Sequence, residues 1–403
     1  MTVDPNGMSV HTSPSERRSP VGLLGARRVL GALYRRWSVP LRIGAYGFCL
    51  AAGPFLAVSF LLASVHSGNF MVDFKYAFSP AGHAVVSGHT PYVAISDLHA
   101  QLAPFVYPPL AAWLFTPFAL LPYGAAAVIY FVFTMASLWG SLALLGIRDP
   151  RCYTLICAWP AVLSYFQNGS LEGGMLLLLV IAWRYRDRAV APAMVSLLVV
   201  LKLFLWPLGI WFLLTRRWRA AAISAVIGAV LLVLPWAAIG FAGMTSYPAM
   251  LQRLTAQEGG ASYALTALVA ALQLPHLAVY VLAVALALPG LARLNDPDHA
   301  RRDRGVLTGC LMLALALTPI LWLHYLVILL VPIALTYRRL NWAWWLPVVM
   351  LVAPAGRPDG ALLPLIVFWV VVSALAVAIP RSGGEGALAL DPPIAERTAI
   401  SAW

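Results

Sequence analysis

Charge is scarce in this chain. Of its 403 residues only 15 are acidic and 10% are charged, whereas a soluble domain carries about a quarter charged residues. Together with 61% hydrophobic residues, that scarcity excludes a soluble globular enzyme and reads as an integral membrane protein. Cysteine is scarce too. The four, Cys49, Cys152, Cys157 and Cys310, lie within or beside apolar segments and have no metal-ligand spacing with His, so they imply neither a disulfide framework nor zinc. No long polar block interrupts the apolar stretches between residues 43 and 379, which leaves one polytopic bundle rather than separate domains. A Walker loop, a GxSxG elbow, an HExxH pair and a dinucleotide fingerprint are all missing, and soluble nucleotide chemistry is excluded with them. No solenoid-length repeat and no inverted repeat of the transporter kind is visible.

What the chain does have is arginine, clustered between apolar runs. The net charge of +12 invites a nucleic-acid reading, but these residues flank apolar spans, where the positive-inside rule accounts for them. No nucleic-acid partner is expected. Residues 1–42 read as a basic tail (Arg17, Arg18, Arg27, Arg28, Arg35, Arg36, Arg42) without a cleavable signal pattern at its start, and so as cytosolic. Residues 43–380 form the transmembrane domain and residues 381–403 a cytosolic C-terminal tail. The first span, about 43–65, delivers residues 66–104 to the outer face; this loop holds a single Lys and no Arg. Proline at 108, 109, 117 and 122 makes residues 105–122 a bent or re-entrant piece.

The clusters Arg148/Arg151, Arg184–Arg188, Arg216–Arg219, Arg293–Arg304 and Arg338/Arg339 can all be cytosolic at once if consecutive clusters are joined by hairpins. This predicts an all-α plasma-membrane protein of about twelve spans, with both termini inside and an amphipathic, partly helical first external loop. Asp73, Lys75, Glu172, Lys202, Arg253, Glu258, His324, Arg357 and Asp359 then gather at the outer face.

Several of these carry candidate chemistry, each beside a blander alternative. Asp73 and Lys75 read either as a solvated helix end or, with Phe70, Phe74, Tyr76 and Phe78 interleaved, as a surface at the headgroup level. Lys202, in "VSLLVVLKLFLWPLGIW", interrupts an apolar run where a cation needs a cavity or partner, and a lipid phosphate suits it. His324, between Trp322 and Tyr325, reads as a packing residue or a site residue. Glu172 follows the "QNGS" turn and reads as a helix-start carboxylate or a site residue. His83, His89 and His99 lack metal spacing, which leaves substrate contact or no role.

Residues 73–122, "DFKYAFSPAGHAVVSGHTPYVAISDLHAQLAPFVYPPLAAWLFTPFALLP", resemble the start of glycosyltransferase family 87, membrane enzymes of GT-C architecture. The likeness lies in Asp73, Tyr76, the Gly88–Pro91–Tyr92 turn, Tyr107–Pro109 and Pro117–Pro122. Later segments are similar as well: "LSYFQNGSLEGG", with Ser170 and Glu172 where Gln and Asn are usual; "LKLFLWPLGIW"; and "TPILWLHY".

The resemblance implies transfer of a sugar, mannose most often and arabinofuranose in some members, from a polyprenyl-phosphate donor to a glycolipid or polysaccharide acceptor outside the cytosol. On this reading Asp73 is the general base of an inverting displacement. Lys202, His324 and Lys75 meet the donor phosphate. Tyr76, His83, Tyr92, Tyr107, Glu172, Trp322 and Tyr325 are contact candidates. No metal or cofactor is required. A transporter or flippase of an anionic lipid-linked substrate is the alternative, since a central Lys and broken helices suit it too.

Overall fold

A computed structural model describes residues 43–352, apart from 45 and 49, and residues 358–382. The expected tails, 1–42 and the chain beyond 382, lie outside the described residues, as does Arg357. The described residues from 50 onward form one compact unit. Among the described residues there are helices and no strands, as an apolar chain requires when its backbone groups must bond within each segment.

Helix α1 (Tyr46–His66) is followed by a loop with a helical core: a π-helical turn over Phe74–Phe78 continues into α2 (Ser79–Val86), and a 3-10 turn covers Ile95–Ala100. The expected partly helical character of this stretch is present. The proline-rich stretch breaks into two short helices, Pro109–Leu114 and Thr116–Ala119, each beginning at or beside a proline, where a missing N–H costs nothing. Then come α3 (Tyr123–Leu144), α4 (Pro160–Asn168), α5 (Glu172–Arg184) and α6 (Val190–Leu201). Helix α7 (Trp218–Ala238) leads to α8 (Tyr247–Glu258), and α9 (Leu277–Leu291), α10 (His299–Leu317) and α11 (Leu362–Arg381) follow.

Four of these, α1, α3, α7 and α11, are long and apolar enough to cross a membrane. Length and composition alone therefore do not reach the expected count of about twelve, because the remaining apolar helices are shorter and broken. On α7, Val226, Val230 and Leu234 are exposed, the apolar outer face of a helix whose solvent is lipid. Where helices meet, small residues allow close approach. A Cβ on Gly290 would lie 2.5 Å from the Gly305 carbonyl oxygen and 2.6 Å from the Gly309 nitrogen, so α9 and α10 cross backbone to backbone. Ser196 of α6 donates to the Ser224 carbonyl of α7 at 2.7 Å.

The arginine clusters converge at one end of the helices. Arg217 grips Asp303 with two bonds of 3.1 and 2.7 Å, and Arg186 adds a third at 3.1 Å. Asp303 itself is 1% exposed. Nearby in sequence to the remaining clusters, Arg304 donates to the Leu335 carbonyl at 3.3 Å, and Asp149, paired with Arg151, accepts from the Leu340 N–H at 3.0 Å.

Candidate active site

Asp73 is aimed by an unusual backbone step. Met71, two residues earlier, is buried and left-handed (φ 57°), a conformation that costs an L side chain about 1–2 kcal/mol. It seats against Gly169, also left-handed (φ 60°), which caps the C-terminus of α4; a Cβ there would come 2.6 Å from the Met71 sulfur. Only glycine fits both the conformation and the space. The "QNGS" turn thus docks onto "MVD", and Asp73, immediately before the π-helical turn, lines a cavity.

That cavity, about 860 Å³, is lined by Asp73, Tyr107, Ser164, Asn168, Lys202, Phe204, Tyr247, Glu258, Trp322, His324 and Tyr325, among others. Helix α6 ends at Leu201, Lys202 is extended (φ −140°, ψ 98°), and Pro207 opens the next helix. The helix break brings the lysine into the cavity wall. There its ammonium pairs with Glu172 and stands 3.6 Å from the centre of the Tyr325 ring, a cation–π contact that is strong when desolvated. Phe204 stacks on the same tyrosine with ring centroids 5.2 Å apart. Lys202 and Glu172 are 4% and 5% exposed.

The 3-10 turn Leu323–Leu329 packs against both α4 and α5, which brings His324 to both. Its Nδ1 accepts from the Asn168 side-chain amide at 3.3 Å, and the same amide donates to Ser164 at 3.2 Å. An amide N–H can only donate, so the ring proton belongs on Nε2, which lies 3.8 Å from the Glu172 oxygen that also meets Lys202. One carboxylate oxygen therefore orients both the lysine and the histidine.

Asp73 lies in the first loop, outside the spans. Burial pushes its carboxyl from 3.8 up to about 7, the Glu172 charge adds to the rise and Lys202 opposes it. A carboxyl there is poised to exchange a proton near neutrality.

Asp73, Lys202, His324, Tyr107, Trp322 and Tyr325, all singled out in the sequence, line this one cavity. Glu172 does not line it but stands behind Lys202, paired with the lysine and 3.8 Å from the histidine. Tyr92 also acts from behind: its hydroxyl donates to the Tyr107 carbonyl at 2.9 Å. Lys75, Tyr76 and His83 are absent from the lining. Lys75 is exposed, with its ammonium 4.9 Å from the Tyr76 ring centre. The reason is helical geometry, since residues two apart do not share a face and Asp73 takes the inner one.

Sequence reading missed Ser164, Phe204 and Tyr247. The Tyr247 hydroxyl donates to the Val106 carbonyl at 2.9 Å and so ties α8 to the Tyr107 segment. Ser164 had a faint signal, lying one turn before Asn168 on the same helix face.

The sequence matches the profile of glycosyltransferase family 87 over residues 105–319, just over half of the chain. It is 32% identical over 146 residues to a protein of Mycolicibacterium smegmatis (strain ATCC 700084 / mc(2)155) named polyprenol-phosphate-mannose-dependent alpha-(1-2)-phosphatidylinositol pentamannoside mannosyltransferase, covering 34% of this chain and 36% of that one. A protein of the same name from Mycobacterium tuberculosis (strain CDC 1551 / Oshkosh) is 31% identical over 137 residues, 31% of each chain. These matches span about a third of the length of the curated relatives. No solved structure matches the chain. On the profile match, the chain belongs to glycosyltransferase family 87.

Proposed function

We propose that this protein is a membrane mannosyltransferase that moves mannose from a polyprenyl-phosphate donor to a glycolipid or polysaccharide acceptor at the outer membrane face. The observation that carries the reading is the joint lining of one cavity by Asp73 and Lys202, a base with a carboxyl near neutrality and a buried cation. Family membership and the mannose-dependent names of the two relatives support the sugar and the donor class.

In this mechanism Asp73 takes the proton of an acceptor hydroxyl while that oxygen attacks the anomeric carbon opposite the departing phosphate, so configuration inverts. Lys202 meets the negative charge that grows on the phosphate oxygen, the electrostatic role on which enzymes lean most. His324, with its proton on Nε2 and Nδ1 held by Asn168, borders the same region as part of a fixed polar wall. Tyr325, Phe204 and Trp322 supply flat apolar surface for a sugar ring or prenyl chain.

The test is transfer of radiolabelled mannose from a polyprenyl-phosphate mannose by the purified protein. Asp73→Asn is expected to lower kcat by about 10² to 10⁴ while the protein stays folded. Unchanged kcat would remove Asp73 from the mechanism, and movement of the donor across the membrane without covalent change would favour the transporter alternative.

A further inference from the structure

The charges around the cavity are unbalanced. Among its described lining residues Lys202 is the sole Lys or Arg, whereas Asp73 and Glu258 both present carboxyl groups. Glu172, behind the lining, already pairs with that lysine and is 5% exposed. Its oxygen also faces His324 at 3.8 Å. A bound phosphate would thus find one cation, shared with a carboxylate that cannot move into water.

We propose that Glu172 is a positioning residue that sets the charge of the site: by holding Lys202 from behind, it fits the cavity to a phosphodiester with one negative charge and disfavours a phosphate monoester with two. The inference rests on the reading of the cavity as a glycosyl-phosphate site.

Charge is conserved through the step it serves. The bond between the anomeric carbon and the phosphate oxygen breaks, with its electron pair going to that oxygen. The acceptor oxygen bonds to the carbon, and its proton passes to the Asp73 carboxylate. The lipid phosphate now has two ionisable oxygens, the second with a pKa of about 6, so it is mostly dianionic at neutrality. When Asp73 then loses its proton to water, the product faces one more negative group and a cation half-neutralised by Glu172. Inside a low-dielectric site that repulsion is large, and the product is expelled.

The test measures binding of two soluble probes, decyl phosphate (a monoester) and decyl methyl phosphate (a diester), to the purified full-length protein in detergent. In the wild type the affinity ratio of diester to monoester is expected to rise about tenfold between about pH 5.5 and pH 8, as the monoester gains its second charge and the cavity carboxyl of Asp73 ionises; the contribution of Glu172 is read by comparing proteins at one pH. Glu172→Gln is expected to lower that ratio about tenfold at pH 8 and to strengthen product inhibition relative to the donor KM, whereas Glu172→Asp keeps both near wild type.

A ratio unchanged in Glu172→Gln overturns the inference, and so does a flat wild-type ratio, which is informative even if the variant does not fold. Failure of the diester to bind the wild type overturns instead the phosphate reading beneath it.

Discussion

Asp73 is placed where its ionisation is delicately set. Its carboxyl is raised by burial from 3.8 to about 7, so the base form it needs for proton abstraction is lost as pH falls through about 7. The expected kcat/KM profile therefore rises with pH across that point, and a limb centred near pH 4 would show that Asp73 keeps its ordinary carboxylate value or is not the base. Stability has the opposite sign. A carboxyl raised in the folded state contributes stability that is fully present below about pH 3.8 and lost as pH rises through about 7. Asp73→Asn should accordingly melt a few degrees above wild type at pH 8, with the gap closing toward pH 4. Lys202 shows the reverse problem, because its removal strands a buried carboxylate. Lys202→Met is expected to destabilise the protein by about 3–5 kcal/mol and abolish transfer; adding Glu172→Gln should restore most of the stability and none of the activity, as read by thermal unfolding and assay together.

At the scale of elements, short and broken helices do what long ones could not. The end of α6 at Leu201, the left-handed step at Met71 and the 3-10 turn at Leu323–Leu329 each leave a side chain pointing into the cavity rather than along a helix face. The proline-rich segment of residues 105–122 serves likewise, with its carbonyls at Val106 and Tyr107 taken by Tyr247 and Tyr92. The α9–α10 crossing is the rigid counterpart. Since a Cβ at Gly290 would strike the Gly305 carbonyl at 2.5 Å, Gly290→Ala should force the helices apart and cost about 1–3 kcal/mol, measurable as a lowered unfolding temperature in detergent.

Across the whole molecule, polar groups separate into two ends of the helices. Leu317, at the C-terminal end of α10, lines the cavity, while Asp303, near the start of the same helix, anchors Arg186 and Arg217. The fourteen-position separation between them spans about 20 Å. Helix α5 repeats the arrangement, with Glu172 at its first residue and Arg184 at its last. Asp303→Asn would leave two partly buried guanidinium groups without their shared carboxylate, so a loss of about 1–3 kcal/mol is expected. Activity per folded molecule should hold, because the cavity lies at the far end; a fall in kcat without a fall in unfolding temperature would contradict this.

The sequence by itself determined the membrane class, the helical fold and the grouping of arginines apart from Asp73, Lys202 and His324, because hydropathy and the scarcity of charge act through composition and segment length, which need no partner. Asp73 and Lys202, which line the cavity, stood out in the sequence for the same reason: each is an expensive group in an apolar setting. Only the tertiary structure decided which groups face the cavity and which stand behind it. Glu172 backs Lys202 instead of lining the cavity, Lys75 turns outward, and Ser164, Phe204 and Tyr247 join the wall. Those outcomes depend on how α4, α5 and the Leu323–Leu329 turn pack together. That packing is set by contacts between residues more than a hundred positions apart, such as Asn168 with His324, which no local pattern in the chain encodes.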